Sequence, residues 1–215
     1  MLLVAHRTPP SAPACAELAA AGAQIFEVDV QIDDRDRIVA SHYFPMGPFG
    51  LFQRDNWHIR WHTRAQRDPQ LAEFVDHVPA DCRLLLDLKE HAPARRDRLR
   101  AALMAPSLPR ERMIACGPHD ADLEAYRQAG FATWRTAGTP VELAEVLAAR
   151  RLPDDAVTVR HTLLTVDVLR RLHDRVPVVV AWTVNDPARA NRLRELGVDG
   201  VTTDRVTVLR ALSPS

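Results

Sequence analysis

The chain has 215 residues, a length that allows one large domain or two small ones, and a single domain over 1–215 is predicted. Its 28 acidic and 28 basic residues give a formal charge of zero, which excludes the strong field that binding to nucleic acid or an anionic membrane needs. No stretch approaches the roughly 18 apolar residues of a membrane span, and the N-terminal apolar run is too short for a signal peptide. A cytoplasmic location is therefore expected, and the composition leaves the oligomeric state open.

Three cysteines occur, an odd number without a CxxC spacing, and each lies in an apolar context. We therefore expect buried, reduced thiols at Cys15, Cys82 and Cys116.

Short apolar runs alternate with amphipathic stretches along the chain, a pattern typical of βα units that carry a parallel sheet. The predicted strands cover 2–6, 24–32, 83–88, 112–116, 131–136, 156–160, 176–182 and 200–204. The predicted helices cover 11–22, 69–77, 92–104, 119–129, 140–150, 163–174, 186–196 and 205–212. Eight such units predict an α/β fold, a compact (β/α)8 TIM barrel. A doubly wound open sheet is the alternative, because periodicity does not show whether a sheet closes.

Polar residues cluster at the ends of these strands, where a barrel places its active site. In the second strand, the period of two puts Glu27 and Asp29 on one face, pointing into the barrel. Unpaired carboxylates are costly there, and a divalent cation would relieve their repulsion. On the next strand, Asp87 lies two residues before Lys89, the only lysine of a chain whose other basic residues are all arginine.

Several motifs occur in order along the chain. They are Ala5-His6-Arg7-Thr8, Glu27-Val28-Asp29, Val39-Ala40-Ser41-His42, Asp87-Leu88-Lys89, Trp182-Thr183-Val184-Asn185, Gly197-Val198-Asp199-Gly200 and Thr203-Asp204. Each is weak alone, but together, at these spacings, the chain resembles the glycerophosphodiester phosphodiesterase family over nearly its whole length.

The resemblance implies a metal-dependent phosphodiester hydrolase that acts on a small glycerophosphodiester or a related diester. It implies Mg²⁺ or Ca²⁺ on Glu27, Asp29 and Asp87, with hard oxygen ligands that suit both ions. The remaining implied roles are acid–base catalysis by His6 and His42, phosphate binding by Arg7 and Lys89, and a pocket formed by Trp182 and Asn185. His6 is assigned as the base and His42 as the acid. The same residues also suit a lyase that stops at a cyclic phosphate, or a relative that binds diesters without turnover.

The sequence departs from the family pattern at four places. Thr8 replaces the glycine after His-Arg, and 10–13 replace the usual Pro-Glu-Asn-Thr. Asp87 replaces a glutamate, and Tyr43 follows His42 where aspartate is usual. These differences indicate a divergent substrate and weaker metal binding.

The segment at about 43–67 is rich in aromatic residues, arginine and histidine, and it falls where the family carries a substrate-covering insertion. It is interpreted as a lid over a bulky or apolar diester. If 54–64 were helical, Trp57 and Trp61 would share a face, with His58 and His62 beside them. That spacing permits a zinc pair, but no third ligand follows in sequence.

Overall fold

The computed structural model describes residues 1–40, 69–90 and 92–213 in full, and the backbone alone of 44–46, 50–53 and 58–61. The strands are β1 Leu2–Ala5, β2 Ile25–Ile32, β3 Ile38–Ala40, β4 Phe44–Met46, β5 Gly50–Gln53, β6 His58–Trp61, β7 Arg83–Leu88, β8 Met113–Gly117, β9 Ala132–Ala137, β10 Ala156–Arg160, β11 Val179–Trp182 and β12 Gly200–Thr203. The helices are α1 Ala12–Ala20, α2 Leu71–His77, α3 Pro93–Leu103, α4 Asp120–Gln128, α5 Pro140–Ala148, α6 Val166–His173, α7 Pro187–Glu195 and α8 Val206–Leu212. Two 3-10 turns, Arg110–Arg112 and His161–Leu163, complete the described elements.

The parallel sheet closes on itself. Within the described part of the chain, eight parallel strands follow the order β1-β12-β11-β10-β9-β8-β7-β2, and β2 pairs again with β1. The closing pairs bring Leu2 beside Gly200 and Val4 beside Ile25. The predicted (β/α)8 barrel is therefore confirmed, and the open doubly wound sheet is excluded.

Alternation along the strands divides the apolar residues into two cores. One core fills the barrel interior and consists of Val4, Ile25, Leu85, Ile114, Cys116, Trp134, Ala156 and Val180. The larger core packs the outer faces of the strands against the helices, as with Phe26 and Leu86, which are fully buried. The three cysteines are buried and free, as predicted. Since the interior is plugged with side chains, a ligand must bind at an end of the barrel, and enzymes of this fold bind it at the C-terminal ends of the strands, called here the mouth.

The segment between β2 and β7 carries strands outside the barrel. β3 pairs antiparallel with the end of β2, and β4, β5 and β6 form a separate antiparallel sheet. The helix considered over 54–64 is therefore wrong for 58–61, which form a strand. A helix of membrane-spanning length and apolarity does not occur among the described residues.

Candidate active site

Three carboxylates meet at the mouth, on two neighbouring strands. Glu27 and Asp29 lie on the inner face of β2, and strand register places Asp29 beside Asp87 of β7. One carboxylate oxygen from each residue lies within 4.8 Å of those of the other two. Glu27 and Asp29 are buried, and Asp87 is half-buried. This arrangement, called here the carboxylate cluster, suits a hard divalent cation, which binds oxygen ligands and leaves positions for water and phosphate.

Glu27 is the most perturbed member of the cluster. Its burial, reinforced by the negative charges of Asp29 and Asp87 and opposed by His6, raises the pKa of Glu27 to about 7. Its Oε2 accepts a hydrogen bond from the backbone amide of Arg7 at 2.6 Å. Its Oε1 is buried and has no hydrogen-bond partner among the described residues. A buried carboxylate oxygen without a donor fits a cation ligand, so the residues present suit a metal ion.

Lys89 lies against the carboxylate cluster. Its ammonium group is 2.5 Å from Asp87 Oδ2 and 3.0 Å from Asp29 Oδ1. Burial alone would lower the pKa of Lys89, but the two carboxylates outweigh it and raise the pKa above its ordinary value. Lys89 is therefore a fixed positive charge, and the structure places it beside Asp87 at the mouth.

Arg7 turns the chain at the end of β1. Its φ is +48°, in the left-handed region that residues other than glycine rarely adopt. This conformation directs the Arg7 amide to Glu27, while Arg7 Nε lies 3.9 Å from Asp29 Oδ2. Strained backbone of this kind is typical of functional sites, where surrounding contacts hold it in place.

Thr8 does not need the freedom of the glycine it replaces, because the left-handed φ falls on Arg7. The Thr8 side chain is buried, and its hydroxyl donates to the carbonyl of Ala5 at 3.3 Å. Its amide donates to the carbonyl of Glu27 at 3.1 Å. The departure at position 8 is therefore accommodated without disturbing the turn that carries His6 and Arg7.

His6 is held by a chain of hydrogen bonds from the opposite end of the sequence. Its Nδ1 is 2.6 Å from Asp204 Oδ1, and its Nε2 is 3.8 Å from Glu27 Oε2. Asn185 Nδ2 donates to the other oxygen of Asp204 at 2.6 Å. Asn185 Oδ1 in turn accepts from the amide of Asp204 and the hydroxyl of Thr203, both at 3.0 Å. With Nδ1–H donated to Asp204, the Nε2 atom faces the carboxylate cluster and is available for proton transfer.

The surroundings of His6 and Asp204 shift the pKa values of both side chains. Burial would lower the pKa of His6, but Glu27 and Asp204 outweigh it and raise the pKa. Burial would raise the pKa of Asp204, but hydrogen bonds from His6 and Asn185 outweigh it and lower the pKa. Asp204 therefore stays ionised and fixes the imidazole. The contacts of Asp204 with His6 and Asn185 show that this carboxylate orients the imidazole at the mouth.

Trp182 ends β11 on the inner face of the barrel. Its indole Nε1 is buried and lacks a hydrogen-bond partner within the described ranges. Asn185, the other residue of the predicted pocket, also lies at the mouth, where its side chain is hydrogen-bonded to Asp204. His42, the second predicted histidine, lies outside the described residues, as do most of the residues of the predicted lid.

Comparisons with known proteins agree with this architecture. Residues 121–208 match the sequence model of the glycerophosphoryl diester phosphodiesterase family. None of the curated proteins matches the sequence significantly.

Among solved structures, a glycerophosphodiester phosphodiesterase from Thermotoga maritima is 23% identical, with a TM-score of 0.73, over 99% of this chain and 98% of that one. A phosphodiesterase from Oleispira antarctica, solved with the product sn-glycerol-3-phosphate, is 15% identical, with a TM-score of 0.72, over 99% of this chain and 96% of that one. At these identities the structures show a shared fold. Together with the sequence match over 121–208, they confirm the predicted resemblance to the glycerophosphoryl diester phosphodiesterase family, whose members are phosphoric diester hydrolases.

Proposed function

We propose that the chain is a metal-dependent phosphodiesterase that cleaves a glycerophosphodiester or a related small diester into an alcohol and a phosphomonoester. The observation that carries this proposal is the meeting of the carboxylate cluster with His6 at the mouth of the barrel. The Oleispira enzyme, with the same fold, holds sn-glycerol-3-phosphate as its product, which supports a substrate of this kind.

In this proposal, Glu27, Asp29 and Asp87 hold one divalent cation, Mg²⁺ or Ca²⁺. When bound, such an ion supplies a Lewis acid that offsets the charge developing on the phosphoryl oxygens. Arg7 and Lys89 add fixed positive charge at the phosphate, where charge-assisted hydrogen bonds are strongest.

His6 transfers the proton at Nε2, and His42 is the second acid–base group. Asp204 holds the His6 ring, so that Nε2 keeps one orientation throughout. The charge of Glu27 helps to raise the pKa of His6. A cation on Glu27 would offset that charge and so favour the neutral imidazole that a base needs. The segment around 43–67 is proposed as a cover for the alcohol groups of the substrate.

The test is product analysis with glycerophosphoglycerol and Mg²⁺, followed by ³¹P NMR. A phosphomonoester signal from the wild-type chain, reduced about 10²–10⁴-fold in His6→Ala, is expected. A signal from a cyclic phosphate would instead establish a lyase. Binding of the diester without any product would establish a non-catalytic relative.

A further inference from the structure

A second cationic feature of the mouth lies away from the carboxylate cluster. Arg160 is the last residue of β10, and its side chain is exposed. Alternate residues of a strand share a face, and Ala156 packs in the interior core, so Arg160 belongs to the inner face. Strand register places Arg160 beside Trp182 of β11. The two side chains therefore stand together at the mouth.

Barrel topology puts Arg160 opposite Glu27 and Asp29. Going round the closed sheet from β2, which carries Glu27 and Asp29, β10 is the fourth strand in either direction. Strand spacing and tilt in an eight-stranded barrel separate opposite strands by about 15 Å, before side chains fill part of that width. A diester whose phosphate lies at the carboxylate cluster would reach Arg160 through an alcohol group that extends across the mouth.

Trp182 fixes the guanidinium of Arg160. The Arg160 guanidinium carbon lies 5.3 Å from the centroid of the Trp182 ring, within the range of a cation–π contact. The ring itself lies close to Gly138, where an added Cβ would come within 3.1 Å of two indole carbons. The face of Trp182 that Arg160 covers is therefore occupied by a cation and is not open to a quaternary ammonium group.

Among the residues that the structure describes, no carboxylate forms an ion pair with Arg160, whose guanidinium lies over the Trp182 ring. The neighbouring residues add positive charge. The guanidinium of Arg189 donates to the carbonyl oxygen of His161 at 2.7 Å. Burial lowers the pKa of His161, and the charges of Arg189 and Arg160 lower it further. This side of the mouth therefore carries the positive charges of Arg160 and Arg189, neither of which forms an ion pair among the described residues.

We propose that Arg160, held against Trp182, binds an anionic group on the alcohol portion of the substrate, so that the enzyme prefers diesters whose alcohol portion carries an anionic group to those whose alcohol portion carries only a cationic one. The proposal rests on the proposed function for the position of the phosphate. A planar guanidinium suits a carboxylate or a second phosphate, because it can bind either through two parallel hydrogen bonds.

Glycerophosphoserine and glycerophosphoethanolamine form a matched pair for the test, because both carry the amine and only the first carries a carboxylate. Their binding is measured by calorimetry with Mg²⁺ in a His6→Asn background, which removes the proposed base and leaves both ligands intact. The same background then receives Arg160→Gln, Arg160→Lys or the control Arg170→Gln, a residue of α6 whose side chain is 75% exposed. Turnover of both diesters is followed separately in the wild-type chain.

We expect the background variant to bind glycerophosphoserine about tenfold more tightly, which corresponds to one charge-assisted contact. Arg160→Gln should reduce the ratio to near one, Arg160→Lys should keep part of it, and Arg170→Gln should leave it unchanged. Equal affinities in the background variant, or a preference that survives Arg160→Gln, would overturn the proposal. A preference that depends on Arg160, without turnover by the wild-type chain, would contradict the proposed function and leave the assignment of Arg160 standing.

Discussion

Replacing Glu27 by glutamine should stabilise the metal-free protein at alkaline pH while removing its response to metal. The pKa of Glu27 rises from an ordinary value of 4.5 to about 7 because the carboxylate is buried beside Asp29 and Asp87. A difference of this size corresponds to about 3 kcal/mol between the protonated and ionised forms, as an upper estimate. Glutamine keeps an oxygen that can accept the hydrogen bond from Arg7 and carries no charge.

The sign of the effect follows from where the proton is held. Between pH 4.5 and about 7 the folded protein keeps the Glu27 proton and the unfolded chain has lost it. The stability of the wild-type protein therefore falls as pH rises through that window, and the full loss is present above it. Glutamine does not ionise, so the Glu27→Gln variant does not lose this stability. Its free energy of unfolding should exceed that of the wild-type protein by under about 1 kcal/mol at pH 5 and by about 1–3 kcal/mol at pH 8.

Urea unfolding in EDTA at pH 5 and pH 8 measures this difference. The matched control is Glu17→Gln, because Glu17 is 63% exposed and its carboxylate lies 3.9 Å from the Arg210 guanidinium. Mg²⁺ should then stabilise the wild-type protein and not Glu27→Gln, since a ligand stabilises only the state that binds it. If Glu27→Gln raised the free energy of unfolding equally at both pH values, or not at all at pH 8, the assignment of a buried charge to Glu27 would be refuted.

Three further variants test the neighbours of the carboxylate cluster. Asp204→Asn should lower kcat about 10–10²-fold and lower the pKa of His6 in the pH–rate profile, because the Asp204 carboxylate helps to raise that pKa. An unchanged pH–rate profile would show that Asp204 has only a structural role. Lys89→Arg should lower kcat/KM by about 10²-fold in steady-state assays, because a guanidinium cannot occupy the ammonium position between the two carboxylates. Full activity would mean that only the positive charge matters. Thr8→Gly should destabilise the protein by about 1 kcal/mol in urea, because the left-handed φ lies at Arg7; a gain in stability would show that position 8 needs glycine.

Local patterns were sufficient to predict the barrel strands and the carboxylate cluster. The period of two in β2 placed Glu27 and Asp29 together, and the neighbouring strand supplied Asp87. Such features depend on residues close in sequence, or on the rule that strand ends converge at the mouth.

Contacts between distant parts of the chain could not be predicted from such local patterns. His6 and Asp204 are 198 positions apart and meet only because β1 and β12 pair when the barrel closes. The stacking of Arg160 on Trp182 depends equally on the register of β10 with β11. A single sequence shows neither register nor closure.

The segment around 54–64 illustrates a different difficulty. Its aromatic residues recur at a spacing that fits a helix, but aromatic side chains also favour strands, and short runs do not distinguish the two. The strand at His58–Trp61 shows that pairing with β5 prevails there.

The rate of diester hydrolysis as a function of free Mg²⁺, measured on protein stripped with EDTA, tests the central claim most directly. We expect negligible activity without metal, saturable recovery on adding Mg²⁺ or Ca²⁺, and loss of that recovery in Asp29→Asn, which removes one proposed ligand. Hydrolysis that proceeds at full rate in EDTA, or that Asp29→Asn leaves unchanged, would contradict the account of the carboxylate cluster as a metal centre.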